Sequence, residues 1–169
     1  DFRQFRFMDW METNGSDLSD WADKPEVGDA IWRDGIPIEI MVRLANEAGV
    51  DPWFTMPHGA TEEYVREFAA YVRDHLDPAL VATVEFSNEA WNWAFRQTHD
   101  LEADRKAEWG TGWLPEYYAK RATEMALIWD EVFGDAAEAR LVKTLGVQTV
   151  NTWATERILN PEAWFRMEP

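Results

Sequence analysis

The sequence predicts an α/β protein in which about four parallel strands are joined by intervening helices. Three observations carry this expectation. Short β-branched and aromatic runs alternate with longer stretches whose apolar residues recur at helical spacing. The order strand, helix, strand, helix repeats through the chain, and helical connections imply parallel pairing with right-handed crossovers. Polar and aromatic residues gather just past each strand: Asp9, Trp10, Thr13 and Asn14, then His58, then Asn88, Glu89 and Trp91, then Gln148, Asn151 and Trp153.

The first strand is read at Phe5 to Met11, bulky and apolar with Asp9 interrupting it. A long loop from Glu12 to about Ile36 follows, and its length and its Trp21 and Trp32 favour a functional loop over a disordered one, with rings folded onto the loop's own small core as the alternative. Pro37 suits the first position of a helix reaching Ala48, with Ile38, Met41, Val42 and Ala45 on one face and Gly49 ending it. Asn46-Glu47 lies in its last turn and reads as surface. Trp53 to Met56 is the second strand, running into Pro57-His58-Gly59. His58 either reaches a site at the sheet edge or caps its own loop. Thr61 reads as the N-cap of a helix to about Leu76, with Glu62 and Glu63 favourable in its first turn.

The third strand, from Val81 to Phe86, ends in Ser87-Asn88-Glu89. A connection from Ala94 to Leu114 leads to a helix starting near Pro115 and ending at Phe133, stopped by Gly134-Asp135. Its buried face is Tyr118, Ala122, Met125, Ile128, Trp129 and Val132. Arg140 to Val147 reads as the fourth strand. Asn151 opens a loop or short helix to Leu159, and Asn160-Pro161 precedes a further helix over Glu162 to Met167.

The 169 residues suffice for one domain with a real core, and 46% hydrophobic with 28% charged residues reads as globular. A net charge of −16 and a pI near 4.5 exclude a basic nucleic-acid groove. No apolar run is long enough to span a bilayer, so no membrane partner is expected. The absence of cysteine removes disulfides, zinc-thiolate sites and thiol nucleophiles. With only 3 His, in dissimilar contexts, no metal site or other cofactor is expected, and a metal-dependent barrel enzyme ranks low. The 11 Trp are the compositional outlier. Some must be core, and several sit in polar, Gly- and Asn-containing loops, where a core role is less obvious.

A sheet wound in both directions and part of an eight-stranded TIM barrel both satisfy this element order. No G-x-G-x-x-G or P-loop turn follows any strand, which disfavours nucleotide-binding sheets. Functional residues at the carboxyl ends of successive strands favour the barrel. The chain is therefore expected to be a single partial (β/α) barrel domain over residues 1–169, truncated at both ends, with the remainder of the same polypeptide as its partner. A half barrel alone should be a poor folding unit.

The run Glu85-Phe86-Ser87-Asn88-Glu89 resembles the fourth-strand pattern of the clan A retaining glycoside hydrolases, which include many cellulases, mannanases and xylanases. The run Ser-Asn-Glu-x-Trp-Asn is also similar to one in bacterial proteins described as cellulose-binding. The resemblance implies strands two to five of eight, an oligo- or polysaccharide ligand, and an extracytoplasmic setting. It implies Glu89 as acid/base, Asn88 on the sugar 2-hydroxyl, Glu85 as a deeper orienting group and His58 as a sugar contact. Two departures stand out. Ala90 follows Glu89 where the clan usually has Pro. The clan's second-strand end often carries an Arg, whereas Asp9, Trp10, Thr13 and Asn14 are read at the corresponding place.

Retaining cleavage needs two carboxyl groups roughly 5 Å apart, one donating a proton and one attacking the anomeric carbon. The resemblance places the nucleophile on a seventh strand, outside this chain, and Asp9 and Glu12 are poor substitutes. Trp10, Trp91 and Trp153 are placed for stacking, and Asn14, Asn88, Gln148 and Asn151 for hydrogen bonds. The alternative function is a non-catalytic carbohydrate-binding barrel.

Overall fold

The structure, a computed structural model, describes residues 2–167. Four strands, β1 (Gln4–Arg6), β2 (Asp51–Met56), β3 (Ala82–Phe86) and β4 (Leu141–Thr144), form one sheet in the order β1-β2-β3-β4, parallel throughout. Each strand lies beside its predecessor in sequence. A doubly wound sheet reverses direction at a switch point. This one does not, so it has the winding of a partial (β/α) barrel.

Helices α1 (Ile38–Ala48) and α2 (Glu62–His75) separate the first three strands. Between β3 and β4 come α3 (Arg96–Glu108), α4 (Leu114–Phe133) and the short α5 (Ala137–Arg140); α6 (Thr152–Leu159) and α7 (Glu162–Met167) follow β4. The expected caps form. Gly49 ends α1 in the left-handed conformation, and Thr61 Oγ1 accepts the Tyr64 N–H at 3.2 Å. Pro37 is itself the N-cap of α1 rather than its first helical residue.

Register and alternation sort the sheet into two faces. Phe54, Val84 and Phe86 point toward the helices, where Phe54 meets Phe68 of α2 edge-on at 5.2 Å and Phe68 meets Trp129 of α4 at 6.1 Å. Arg6, Trp53, Thr83, Glu85 and Thr144 share the other face. β3 is buried along its whole length, as a central parallel strand should be.

Three elements differ from the sequence expectation. β1 stops at Arg6, because after the Phe7 N–H bonds to the Trp53 carbonyl the chain coils into turns. There Met11 donates to Phe7, Glu12 to Asp9 and Thr13 to Met8, so Asp9 and Trp10 lie beyond the strand. β4 likewise ends at Thr144, leaving Gln148 in the loop after it. The helix α3 occupies most of what reads as a connection. It has almost no apolar face, with Leu101 its one large buried aliphatic residue. Helix-favouring residues and the ion pairs Arg96–Asp100, Glu102–Arg105 and Glu102–Lys106 one turn apart support it instead.

The loop from Glu12 to Ile36 is built against the core. Trp21 sits in a short 3-10 turn (Trp21–Asp23) and packs edge-on to Tyr64 at 5.6 Å. At Gly35, φ is +104° and a Cβ would lie 2.8 Å from the Trp10 carbonyl oxygen, so only glycine fits where this loop recrosses the β1 turn. Among the described residues no helix is long and apolar enough to cross a membrane.

Candidate functional site

β3 delivers its polar residues through a tight turn. Ser87 and Glu89 take left-handed backbone conformations, at φ +57° and +42°, which non-glycine residues adopt rarely. Such strain persists where surrounding contacts fix it, and here they do. The buried Asn88 accepts from Arg6 Nη2 at 3.0 Å through Oδ1, and its Nδ2 donates to Asn14 Oδ1 at 3.0 Å. Gln97 of α3, fully buried, donates to Asn14 Oδ1 and to the Asn88 carbonyl, both at 2.8 Å, and accepts the Gly15 N–H at 2.9 Å. The polar face of α3 thus locks the β3 turn to the β1 turn.

Behind Asn88 lies an ion pair. Arg6 Nη2 bonds Glu85 Oε2 at 2.8 Å, and Trp53 Nε1 donates to the same oxygen at 3.0 Å. The Arg6 guanidinium also sits 4.9 Å from the Trp53 ring centroid. Arg6, the last residue of β1, is an arginine that the sequence reading passed over. Reading β1 as far as Met11 hid it inside the strand. Glu89 is half-buried, and its Oε2 accepts from Asn92 Nδ2 at 2.8 Å, which fixes the carboxylate within its own turn.

Beside this network is a cavity of about 480 Å³. Trp91 and Trp93 from the β3–α3 turn, Trp113 before α4, and Trp153 of α6 wall it, with Tyr118, Gln148 and Asn151. Trp113 and Trp153 meet edge-on at 5.5 Å. Gln148 Oε1 accepts from Asn151 Nδ2 at 2.8 Å, and Asn151 Oδ1 caps α6 by accepting the Ala154 N–H at 3.1 Å. Asn151 thus owes part of its position to capping. Arg105 reaches the wall already engaged, bonded twice to Glu102 at 2.7 and 2.8 Å and to the Thr111 carbonyl at 2.6 Å. Burial raises the Tyr118 hydroxyl above its usual range.

Of the residues singled out in the sequence, Trp91, Gln148, Asn151 and Trp153 line this one cavity. Asn14 and Asn88 belong to the adjoining network. Ala90 carries the chain from Glu89 to the cavity wall, and Glu89 itself is outside the lining. His58 and Trp10 are placed elsewhere. His58 is buried and bonds Asp100 Oδ2 of α3 at 2.9 Å, while its Nδ1 has no hydrogen-bond partner among the described residues. Asp100 in turn accepts from Arg96 at 3.1 Å, and Arg96 pairs with Asp17. Trp10 is exposed and packs on Phe7 with ring centroids 5.5 Å apart. The sequence reading passed over Trp113 and Gln97. Trp113 closes a Trp109-Gly110-Thr111-Gly112-Trp113 run, and nothing in that run tells which ring faces the cavity.

Among the described residues no group of three or more His, Asp or Glu side chains is placed to hold a metal ion. Comparison with protein-family models, curated proteins and solved structures finds no significant match.

Proposed function

We propose that this chain is the acid/base half of a retaining glycoside hydrolase acting on a β-linked polysaccharide. The observation that carries the reading is the β3 turn. It fixes a carboxylate, Glu89, in a strained conformation at the carboxyl edge of a singly wound parallel sheet, two residues before a ring in the wall of a tryptophan-lined cavity. Tryptophan faces suit the apolar C–H faces of a pyranose, and Gln148 and Asn151 can hydrogen-bond its hydroxyls. In this reading Glu89 protonates the leaving oxygen and later deprotonates water. Asn88, aligned by Arg6 and Asn14, orients the sugar beside it. The attacking carboxylate comes from a strand beyond these four, as the resemblance implies.

The test is turnover of the intact protein on a panel of β-glucans and mannans. Removing a general acid lowers rates by about 10²–10⁴-fold, so Glu89→Gln should lose activity on that scale while still binding the glycan. Turnover unchanged by the substitution would remove Glu89 from the mechanism.

A second reading, a carbohydrate-binding barrel without catalysis, is favoured by one observation. The cavity wall begins at Ala90, so a sugar stacked in it need not touch Glu89. Tight binding by both wild type and Glu89→Gln, with no turnover by the intact protein, would select that reading.

A further inference from the structure

Two of the cavity rings, carried by different elements, are tied to one carboxylate. Glu116 stands in the first turn of α4 and is 1% exposed. Its Oε2 accepts the backbone N–H of Trp113 at 3.1 Å. Its Oε1 accepts from Arg157 Nη1 of α6 at 3.0 Å. Arg157 lies one turn beyond Trp153 on α6, and its guanidinium sits 5.9 Å from the Trp153 ring centroid. Trp113 and Trp153 in turn cross at 84° with ring centroids 5.5 Å apart. One buried side chain therefore reaches both rings at this corner of the cavity, while neither Glu116 nor Arg157 lines it.

Capping and stability do not account for the pair. Glutamine serves at this helix position as glutamate does, so the Trp113 bond does not need the charge on Glu116. A buried ion pair contributes little net stability, because both ions lose their water. What the pair adds is placement. Helix α6 has 8 residues and buries only Ala154 and Ile158. Among the described residues the Arg157–Glu116 bond is the one hydrogen bond joining it to another helix or to the sheet.

Resting on the carbohydrate reading above, we propose that Glu116 and Arg157 are positioning residues for the glycan. Their ion pair sets Trp113 and Trp153 at right angles, so that a pyranose stacks on one ring while the other closes the corner. Both residues act through the rings and neither touches the sugar.

The experiment is calorimetric titration of the intact protein with cellotetraose and mannotetraose, together with circular dichroism of the coupled indoles. Two crossed indoles in contact give an exciton couplet, identified as the signal lost in Trp153→Ala. Arg157→Met keeps the apolar stem and removes the charge. It should abolish the couplet and weaken the bound tetrasaccharide about tenfold, within the range of coupling between contacting residues. Arg157→Lys should restore part of both, and Glu116→Gln should behave as Arg157→Met does. In the Trp153→Ala background, which itself binds more weakly than wild type, Arg157→Met should cause no further loss. Thermal unfolding reports whether each variant is folded, and Arg157→Met carries the test if Glu116→Gln is not. Wild-type affinity or an unchanged couplet in a folded Arg157→Met, or an equal loss in both backgrounds, overturns the inference alone. A wild type that binds neither tetrasaccharide overturns the carbohydrate reading and this inference with it.

Discussion

The Asp100 carboxyl accepts from His58 and Arg96, and the His58 bond is the main reason it titrates below its ordinary value of 3.8. A carboxyl lowered on folding adds stability that is complete above its unfolded value and is lost as pH falls through the folded one. The Asp100 side chain is 40% exposed, so solvent screens the pair and the effect is small. Asp100→Asn should therefore lower the urea midpoint at neutral pH and flatten its decline below about pH 4, set by the carboxyl's ordinary range. Parallel acid limbs for the two proteins would show that the His58–Asp100 bond contributes nothing. Single residues also mark the limit of sequence reading. Asn88 could be placed because it follows an apolar strand directly. Arg6 could not, since its role depends on Glu85, 79 positions away in the chain.

Helix α3 decides the geometry of the site, yet it is the element that periodicity could not reveal. Gln97 and Asp100 spend their side chains on the β1 turn, the β3 turn and His58, so its inward face is polar where an amphipathic helix would show a stripe. Leu101, completely buried, is its one aliphatic anchor in the core. Leu101→Ala should destabilise the protein by about 2–5 kcal/mol, read as a drop in the denaturant midpoint. It should also speed exchange of the Gly15 amide, which Gln97 holds. The helices with clear apolar stripes, α1, α2 and α4, were legible together with the caps at Gly49, Thr61 and Gly134, though not the N-caps of α1 and α4 at Pro37 and Trp113. β1 and β4 were overrun because the apolar residues after them, Phe7, Met11, Leu145 and Val147, continue the pattern without the pairing. The ladder stops where β1 and β4 themselves turn away, before β2 and β3 end, and a sequence does not show that.

At the scale of the molecule, α2 and α4 cover one face of the sheet, while β1 and β4 stand at its two ends. Val142, Leu145, Val147 and Val150 are exposed at the β4 side, and unpaired strand edges recruit further strands. The 169-residue chain on its own should therefore self-associate, and sedimentation showing a monomer would contradict this. The alternation of elements made the winding readable from sequence. The cavity was not readable, because its walls come from three separate connections and a tryptophan in a loop looks the same whether it faces a ligand or the core. That cavity is where the functional account is most exposed to test. The direct measurement is an indole N–H chemical-shift titration with a β-linked tetrasaccharide, resolving the 11 Trp one by one. Shifts are expected at Trp91, Trp93, Trp113 and Trp153, with buried Trp129, and Trp10 and Trp32 outside the cavity lining, unmoved. Shifts confined to Trp10 and Trp32, or none at saturating sugar, would contradict the functional account.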